Sequence, residues 1–139
     1  TGKPSPQTGL EAKFSIYHAS AAAVVRGSAG PNEFTDAVVQ DAEIIALRDK
    51  VTAQIDERVS EEEAFVSIVL ADGTVLETHI EHAIGSLERP MTKEALEEKF
   101  ADQARTALPM AQINDIMMRC WNIQDVDDVS EIAQASVPA

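Results

Sequence analysis

The chain has 139 residues, a length that fits one domain with a real hydrophobic core. Its 24 acidic against 11 basic side chains give a formal charge of −13, which repels phosphate backbones and anionic lipids and argues against nucleic-acid or membrane partners. The lone cysteine, Cys120, excludes an intrachain disulfide and a thiolate metal cluster, and no apolar run approaches the roughly 20 residues that span a bilayer. We therefore expect a soluble protein of a reducing compartment, the cytoplasm.

The first segment predicts a loop followed by a helix. Residues 1–9 are rich in Pro, Gly, Ser and Thr and lack an initiator methionine, so we expect a loop or truncated start inside a longer protein. Thr8 and Glu11 have the spacing of a capping box. Apolar residues then recur every three or four positions up to Val25, which predicts one helix that ends near Gly27.

The middle of the chain predicts short helices and then a β-hairpin. Residues 33–39 and 42–50 favour helices, and the alternation in residues 51–56 favours a strand. Residues 60–63 predict an acidic turn, and the strand-like residues 64–71 and 74–82 flank Asp72-Gly73, a dipeptide typical of a two-residue type I′ turn.

That turn would pair Ala71 with Thr74 and place Leu70 beside Val75. Both faces of the hairpin are then partly apolar near the turn. We expect a sheet that is covered on one side and partly occluded on the other.

The last third predicts helices. Thr92 is placed to cap a helix over residues 93–108, and Pro109 starts a second helix. The second helix has the cleanest amphipathic stripe of the chain: Ile113, Ile116, Met117, Cys120 and Trp121. The predicted fold class is therefore α+β, with residues 10–90 forming a small antiparallel sheet packed by helices and residues 91–139 forming closing C-terminal helices.

Metal ligands and nucleophiles are not predicted. His79 and His82 are three apart on a predicted strand and so point to opposite faces, which fits surface histidines better than ligands. Cys120 lies on the apolar stripe beside Trp121, which favours the core over a nucleophilic role.

The first predicted helix carries the most chemistry. On one continuous helix Lys13 and Tyr17 would share a side, and Ser15 and His18 an adjoining strip. A cation with a His or Tyr could hold a carboxylate and move a proton. The alternative, which spacing alone favours, is an amphipathic helix whose Tyr and His cover the edge of a core.

Residues 9–22 resemble the "EAKFS…A" helix of the MmgE/PrpD family, which includes 2-methylcitrate dehydratase and cis-aconitate decarboxylase. Three further segments resemble the family in the same order: Gly27 with the helix start at Glu33-Phe34, the strands around Asp72-Gly73, and residues 85–100. The resemblance covers about residues 7–130.

The resemblance implies a large helical domain and a smaller α+β domain, with the active site in the cleft between them. It also implies small di- or tricarboxylate substrates, no metal or organic cofactor, and a homodimer.

For this chain the resemblance implies the C-terminal part of a lyase or isomerase that abstracts a proton next to a carboxylate. The helical N-terminal domain, with the main catalytic residues, would lie outside it, so we expect the isolated chain to be inactive. His18 aligns with a position where dehydratases and decarboxylases often have Tyr, and this departure weighs against those two activities. The sequence does not choose between dehydration, decarboxylation and epimerisation. We predict His18 and Tyr17 as catalytic and Lys13 as substrate-binding. The alternative is a non-catalytic interaction or dimerisation domain, with the first helix facing the partner.

Overall fold

The computed structural model describes residues 2–138. The chain divides into two compact units, the first ending at Gln54 and the second beginning at Ile55. Helices build the first unit, and a two-stranded antiparallel sheet with helices builds the second, so the predicted α+β class with C-terminal helices is confirmed. The predicted segment boundaries after residues 9 and 90 stay a prediction. None of the helices in residues 2–138 has both the length and the apolar character needed to cross a bilayer.

The first unit contains four short helices and one 3₁₀ turn. In chain order these are α1 (Gly9–Ala12), α2 (Ile16–Arg26), the 3₁₀ turn (Pro31–Phe34), α3 (Asp36–Val39) and α4 (Ala42–Arg48). The strand predicted for residues 51–56 is wrong, because those residues have no regular secondary structure.

The single helix predicted from residue 10 onward is interrupted at Ser15. Its backbone is extended (φ −126°), and it pairs with Gly2 in an isolated antiparallel bridge. Its Oγ accepts a hydrogen bond from the His18 backbone N–H at 3.1 Å, which satisfies a free donor in the first turn of α2. Ser15 therefore caps a new helix, and Lys13 caps the C-terminal end of α1 instead of sharing a helix with Tyr17.

Small side chains allow the first unit to pack tightly. Ala21 and Ala22 of α2 are completely buried and form a core with Val38 and Ile44. Gly9 lies against the backbone of the 3₁₀ turn, where a Cβ atom at position 9 would stand 2.0 Å from the carbonyl oxygen of Phe34. The Gly9 N–H also donates to Asp36 Oδ1 at 2.6 Å, so α1 is joined to the start of α3.

The second unit begins with a hairpin of β1 (Ala64–Val69) and β2 (Val75–Ile80). The hairpin is where the sequence predicted it, but the turn is one residue longer. Leu70 N–H donates to the Thr74 carbonyl at 2.8 Å, and Gly73 N–H donates to the Leu70 carbonyl at 3.0 Å.

The predicted type I′ turn is therefore wrong. That turn needs positive φ at both Asp72 and Gly73, whereas Gly73 has φ +86° and no non-glycine residue has positive φ among the described residues. A three-residue turn needs the left-handed conformation only at its glycine, which removes the steric cost at Asp72. The register follows the longer turn, and Val69 pairs with Val75.

The hairpin exposes apolar side chains on both faces. Every residue of β1 is exposed, including Phe65 at 67% and Val69 at 69%. The opposite face carries Val66, Ile68 and Leu76, which are also exposed. The expected covering of the sheet is thus not provided by residues 2–138.

Three α-helices and a second 3₁₀ turn (Ile123–Asp125) complete the second unit. The helices are α5 (Lys93–Ala104), α6 (Met110–Trp121) and α7 (Ser130–Ala135). Thr92 caps α5 as predicted, its Oγ1 accepting from Ala95 N–H at 3.2 Å. Only Ile113 and Ile116 of the α6 stripe are fully buried. The prediction that Cys120 lies in the core is wrong, because the end of α6 is solvent-exposed there.

Candidate functional site

His18 is completely buried in the first turn of α2. Its Nε2 lies 2.8 Å from the backbone carbonyl oxygen of Glu33, so the neutral ring carries its hydrogen on Nε2 and donates it to that carbonyl. The ring also contacts Phe34, with centroids 5.5 Å apart. His18 therefore fastens α2 to the 3₁₀ turn.

The other ring nitrogen, Nδ1, is buried and has no hydrogen-bond partner among residues 2–138. In the Nε2–H tautomer Nδ1 has a lone pair that can accept a proton. Nδ1 therefore has a lone pair that no described residue uses.

Two further polar side chains are buried around the same junction. Ser15 is 2% exposed and uses its Oγ to cap α2. Glu33 is 7% exposed, and its carboxylate accepts from the Gly30 N–H at 2.9 Å, which caps the 3₁₀ turn. Both groups thus satisfy backbone donors, and the junction is held by polar contacts as well as by apolar packing.

The predicted partners of His18 have different surroundings. Tyr17 is half-buried, whereas Lys13 is exposed and has no ion pair within 4.0 Å in the described part of the chain. The described part of the chain therefore does not bring Lys13, Tyr17 and His18 together in one open site.

Arg48 is a further buried polar residue of the first unit, away from the junction of α2 and the 3₁₀ turn. It is 6% exposed, and its guanidinium donates to the Pro6 carbonyl at 3.5 Å. The Nε atom has no hydrogen-bond partner among the described residues and lies 4.0 Å from Asp49 Oδ1. Arg48 holds the N-terminal segment against α4.

A set of potential metal ligands lies at the open end of the hairpin, which the sequence prediction missed. Glu62, His82 and Glu88 each offer one ligand atom, and these atoms all lie within 4.8 Å of one another. His82 Nδ1 is 3.2 Å from Glu62 Oε2. The hairpin register is the signal that could have found this pair, because Ala64 pairs with Ile80 and positions 62 and 82 continue that pairing by two residues.

His79 and Glu63 form a similar pair next to this set. His79 Nε2 is 3.4 Å from Glu63 Oε1, and its ring stacks on Phe65 with centroids 4.1 Å apart. The hydrogen bond from Ser60 N–H and, to a smaller extent, the nearby His79 hold the pKa of Glu63 below its usual value. Glu63 is therefore ionised at neutral pH.

Comparison with known proteins agrees with the resemblance in the sequence. The family model of the MmgE/PrpD C-terminal domain matches residues 1–123. The chain belongs to the MmgE/PrpD family, in its C-terminal domain. The mitochondrial 2-methylcitrate dehydratase of Yarrowia lipolytica is 32% identical over 113 residues, which cover 73% of this chain and 22% of that protein. The chain thus spans about a fifth of the length of this curated relative.

Proposed function

We propose that this chain is the C-terminal part of a cofactor-independent lyase or isomerase of the 2-methylcitrate dehydratase type. The parent enzyme would abstract a proton next to a carboxylate of a small di- or tricarboxylic acid. The observation that carries the proposal is the match to the MmgE/PrpD C-terminal domain over residues 1–123, and the dehydratase relative supports it. We place the parent in the cytoplasm, on the ground that a chain with one cysteine needs no oxidising compartment.

The exposed hairpin supports a parent larger than this chain. A two-stranded sheet is marginal in water by itself, and a contiguous apolar surface usually marks a contact site. Phe65 and Val69 are exposed on one face and Val66 and Ile68 on the other. We propose that other segments of the parent cover these faces, that its helical N-terminal domain completes the active site, and that it forms a homodimer.

Within this proposal His18 and Tyr17 are catalytic and Lys13 binds substrate. Lys13 is exposed and can meet a carboxylate directly, and the half-buried Tyr17 can donate from its phenol. His18 would act through Nδ1, since Nε2 is bonded to Glu33. Because His18 is completely covered here, contact with a substrate requires the surrounding packing to open in the parent.

The His18 role is tested in the full-length parent with His18→Gln and His18→Ala. The Gln amide can still donate to the Glu33 carbonyl, whereas Ala leaves that buried acceptor unpaired at a cost of about 1–3 kcal/mol. We expect both variants to lower turnover at least about tenfold, as loss of a general acid–base group does, with His18→Gln remaining folded by circular dichroism.

His79→Gln is the matched control, because its imidazole lies on the hairpin, and it should keep turnover within about twofold of wild type. Wild-type turnover in a folded His18→Gln variant would contradict the catalytic role. If, in addition, only His18→Ala loses stability, the role of His18 is structural: its hydrogen bond to the Glu33 carbonyl.

The alternative proposal, a non-catalytic interaction or dimerisation domain, predicts that the full-length parent converts none of a panel of citrate-like acids. The family match and the dehydratase relative favour the enzyme.

A further inference from the structure

The open end of the hairpin brings together three ligands from three separate segments of the chain. Glu62 belongs to the turn before β1, His82 follows the end of β2 by two residues, and Glu88 belongs to the connector before α5. Ligand atoms of one Zn²⁺ ion with bonds of about 2.0–2.2 Å lie no more than about 4.4 Å apart. The set lies within 4.8 Å overall, and the Glu62–His82 separation of 3.2 Å is already close to that of tetrahedral ligands.

Hydrogen bonds close two of the three segments, and strand pairing ends two residues before His82 in the third. The Ser60 N–H donates to Glu63 Oε2 at 2.8 Å, which closes the turn that carries Glu62. The Gly85 N–H donates to the Arg89 carbonyl at 2.8 Å, and this closes the loop that carries Glu88. His82 lies two residues after Ile80, the last paired residue of β2. We therefore expect rotation of these three side chains, on an unchanged backbone, to bring their ligand atoms around one ion.

The chemistry of the ligands selects the class of ion. Two carboxylates supply two negative charges, which balance one divalent cation within a chain whose net charge is −13. Calcium and magnesium prefer ligand sets of oxygen alone, whereas imidazole with carboxylates suits zinc and its first-row neighbours. Three protein ligands leave a fourth position for water.

We propose that Glu62, His82 and Glu88 bind one Zn²⁺ ion, through His82 Nδ1 and one oxygen of each carboxylate. The ion cross-links the connector of residues 83–90 to the base of the hairpin. The proposal concerns binding of the ion alone, so it does not depend on the proposed enzymatic function.

The test is calorimetric titration of the tag-free 139-residue chain with Zn²⁺. We expect saturable binding of one ion, and we expect His82→Ala, Glu62→Gln and Glu88→Gln each to weaken affinity at least about tenfold, as loss of a ligand contact does. The matched control is His79→Ala, because His79 and Glu63 form a similar pair that belongs to no set of three ligands among the described residues. It should change affinity less than about twofold.

Thermal unfolding provides a second measurement. Zn²⁺ should raise the Tm of the wild type and of His79→Ala, because a ligand that binds only the folded state stabilises it, and should leave the Tm of His82→Ala unchanged. The proposal is overturned if the wild type shows no saturable binding, or if His79→Ala weakens binding as much as His82→Ala. The Gln variants keep the shape of exposed side chains, so a loss of binding in them with unchanged circular dichroism reports on the ligands themselves.

Discussion

Buried polar residues of the first unit form hydrogen bonds with backbone groups at the junction of α2 and the 3₁₀ turn. Ser15 Oγ, His18 Nε2 and the Glu33 carboxylate each bond a main-chain group that packing would otherwise leave unpaired. This arrangement gives His18 a clear structural task. Any catalytic task falls to Nδ1, whose lone pair has no partner among residues 2–138.

Gly9 provides a direct test of the packing in this unit. A Cβ atom at position 9 would stand 2.0 Å from Phe34 O, and backbone must move to accommodate it. We expect Gly9→Ala to lower the free energy of unfolding by about 1–3 kcal/mol, the usual cost of overpacking, in a urea titration of the 139-residue chain. The control is Gly2→Ala, since nothing lies within 4 Å of a Cβ atom at position 2. Equal stability of Gly9→Ala and wild type would show that α1 does not pack on the 3₁₀ turn as described.

At the scale of elements, capping residues and turn chemistry decide where each helix and strand begins. Thr8, Ser15 and Thr92 each accept a backbone N–H in the first turn of a helix. The hairpin turn is set by Gly73, whose φ of +86° closes a three-residue loop. Asp72 supports the same loop, because its Oδ1 accepts from Thr74 N–H at 2.9 Å.

The turn type makes a prediction that distinguishes the two registers. In the three-residue turn Ala71 is the first central residue, a position where proline is favoured, whereas the two-residue turn needs its N–H for pairing. The quantity measured is the free energy of opening of the strand amides, from hydrogen exchange. We expect Ala71→Pro to keep it within about 0.5 kcal/mol of the wild-type value, and Gly73→Ala to lower it by about 1–2 kcal/mol. Loss of protection in Ala71→Pro would support pairing of Ala71 with Thr74 instead.

Much of the fold could be predicted from local patterns, and the corrections have physical causes. The helix after Thr92 is predicted because its cap and its apolar spacing agree, and the helix predicted for residues 42–50 is present as α4. The break at Ser15 was missed because serine fits both a helix interior and an N-cap, and its extended backbone depends on the bridge to Gly2. The turn length was missed because an Asp-Gly pair is compatible with both a two-residue and a three-residue turn.

The candidate site was harder to predict than the fold. His18, Tyr17 and Lys13 were selected by their spacing on one helix and by the family resemblance, but helix spacing cannot tell which side of α2 is buried. The Glu62–His82–Glu88 set was missed because its members come from three segments. Only the register of the hairpin places the first two side by side.

At the scale of the whole molecule, the proposed larger parent accounts for the apolar surface that the second unit exposes. The chain covers 22% of its dehydratase relative, and we propose that other segments of the parent cover this surface. With a net charge of −13 on this chain, we propose that cations from other parts of the parent join Lys13 in binding the anionic substrate. We therefore expect the isolated 139-residue chain to show no turnover.

The measurement that tests the central claim most directly is turnover by the full-length parent on a panel of small di- and tricarboxylic acids, 2-methylcitrate included, without added metal or organic cofactor. The isolated 139-residue chain is assayed beside it at the same concentration. We predict dehydration, decarboxylation or epimerisation of at least one acid by the parent and none by the isolated chain. Conversion by the isolated chain, or no conversion of any acid by the folded parent, would contradict the account.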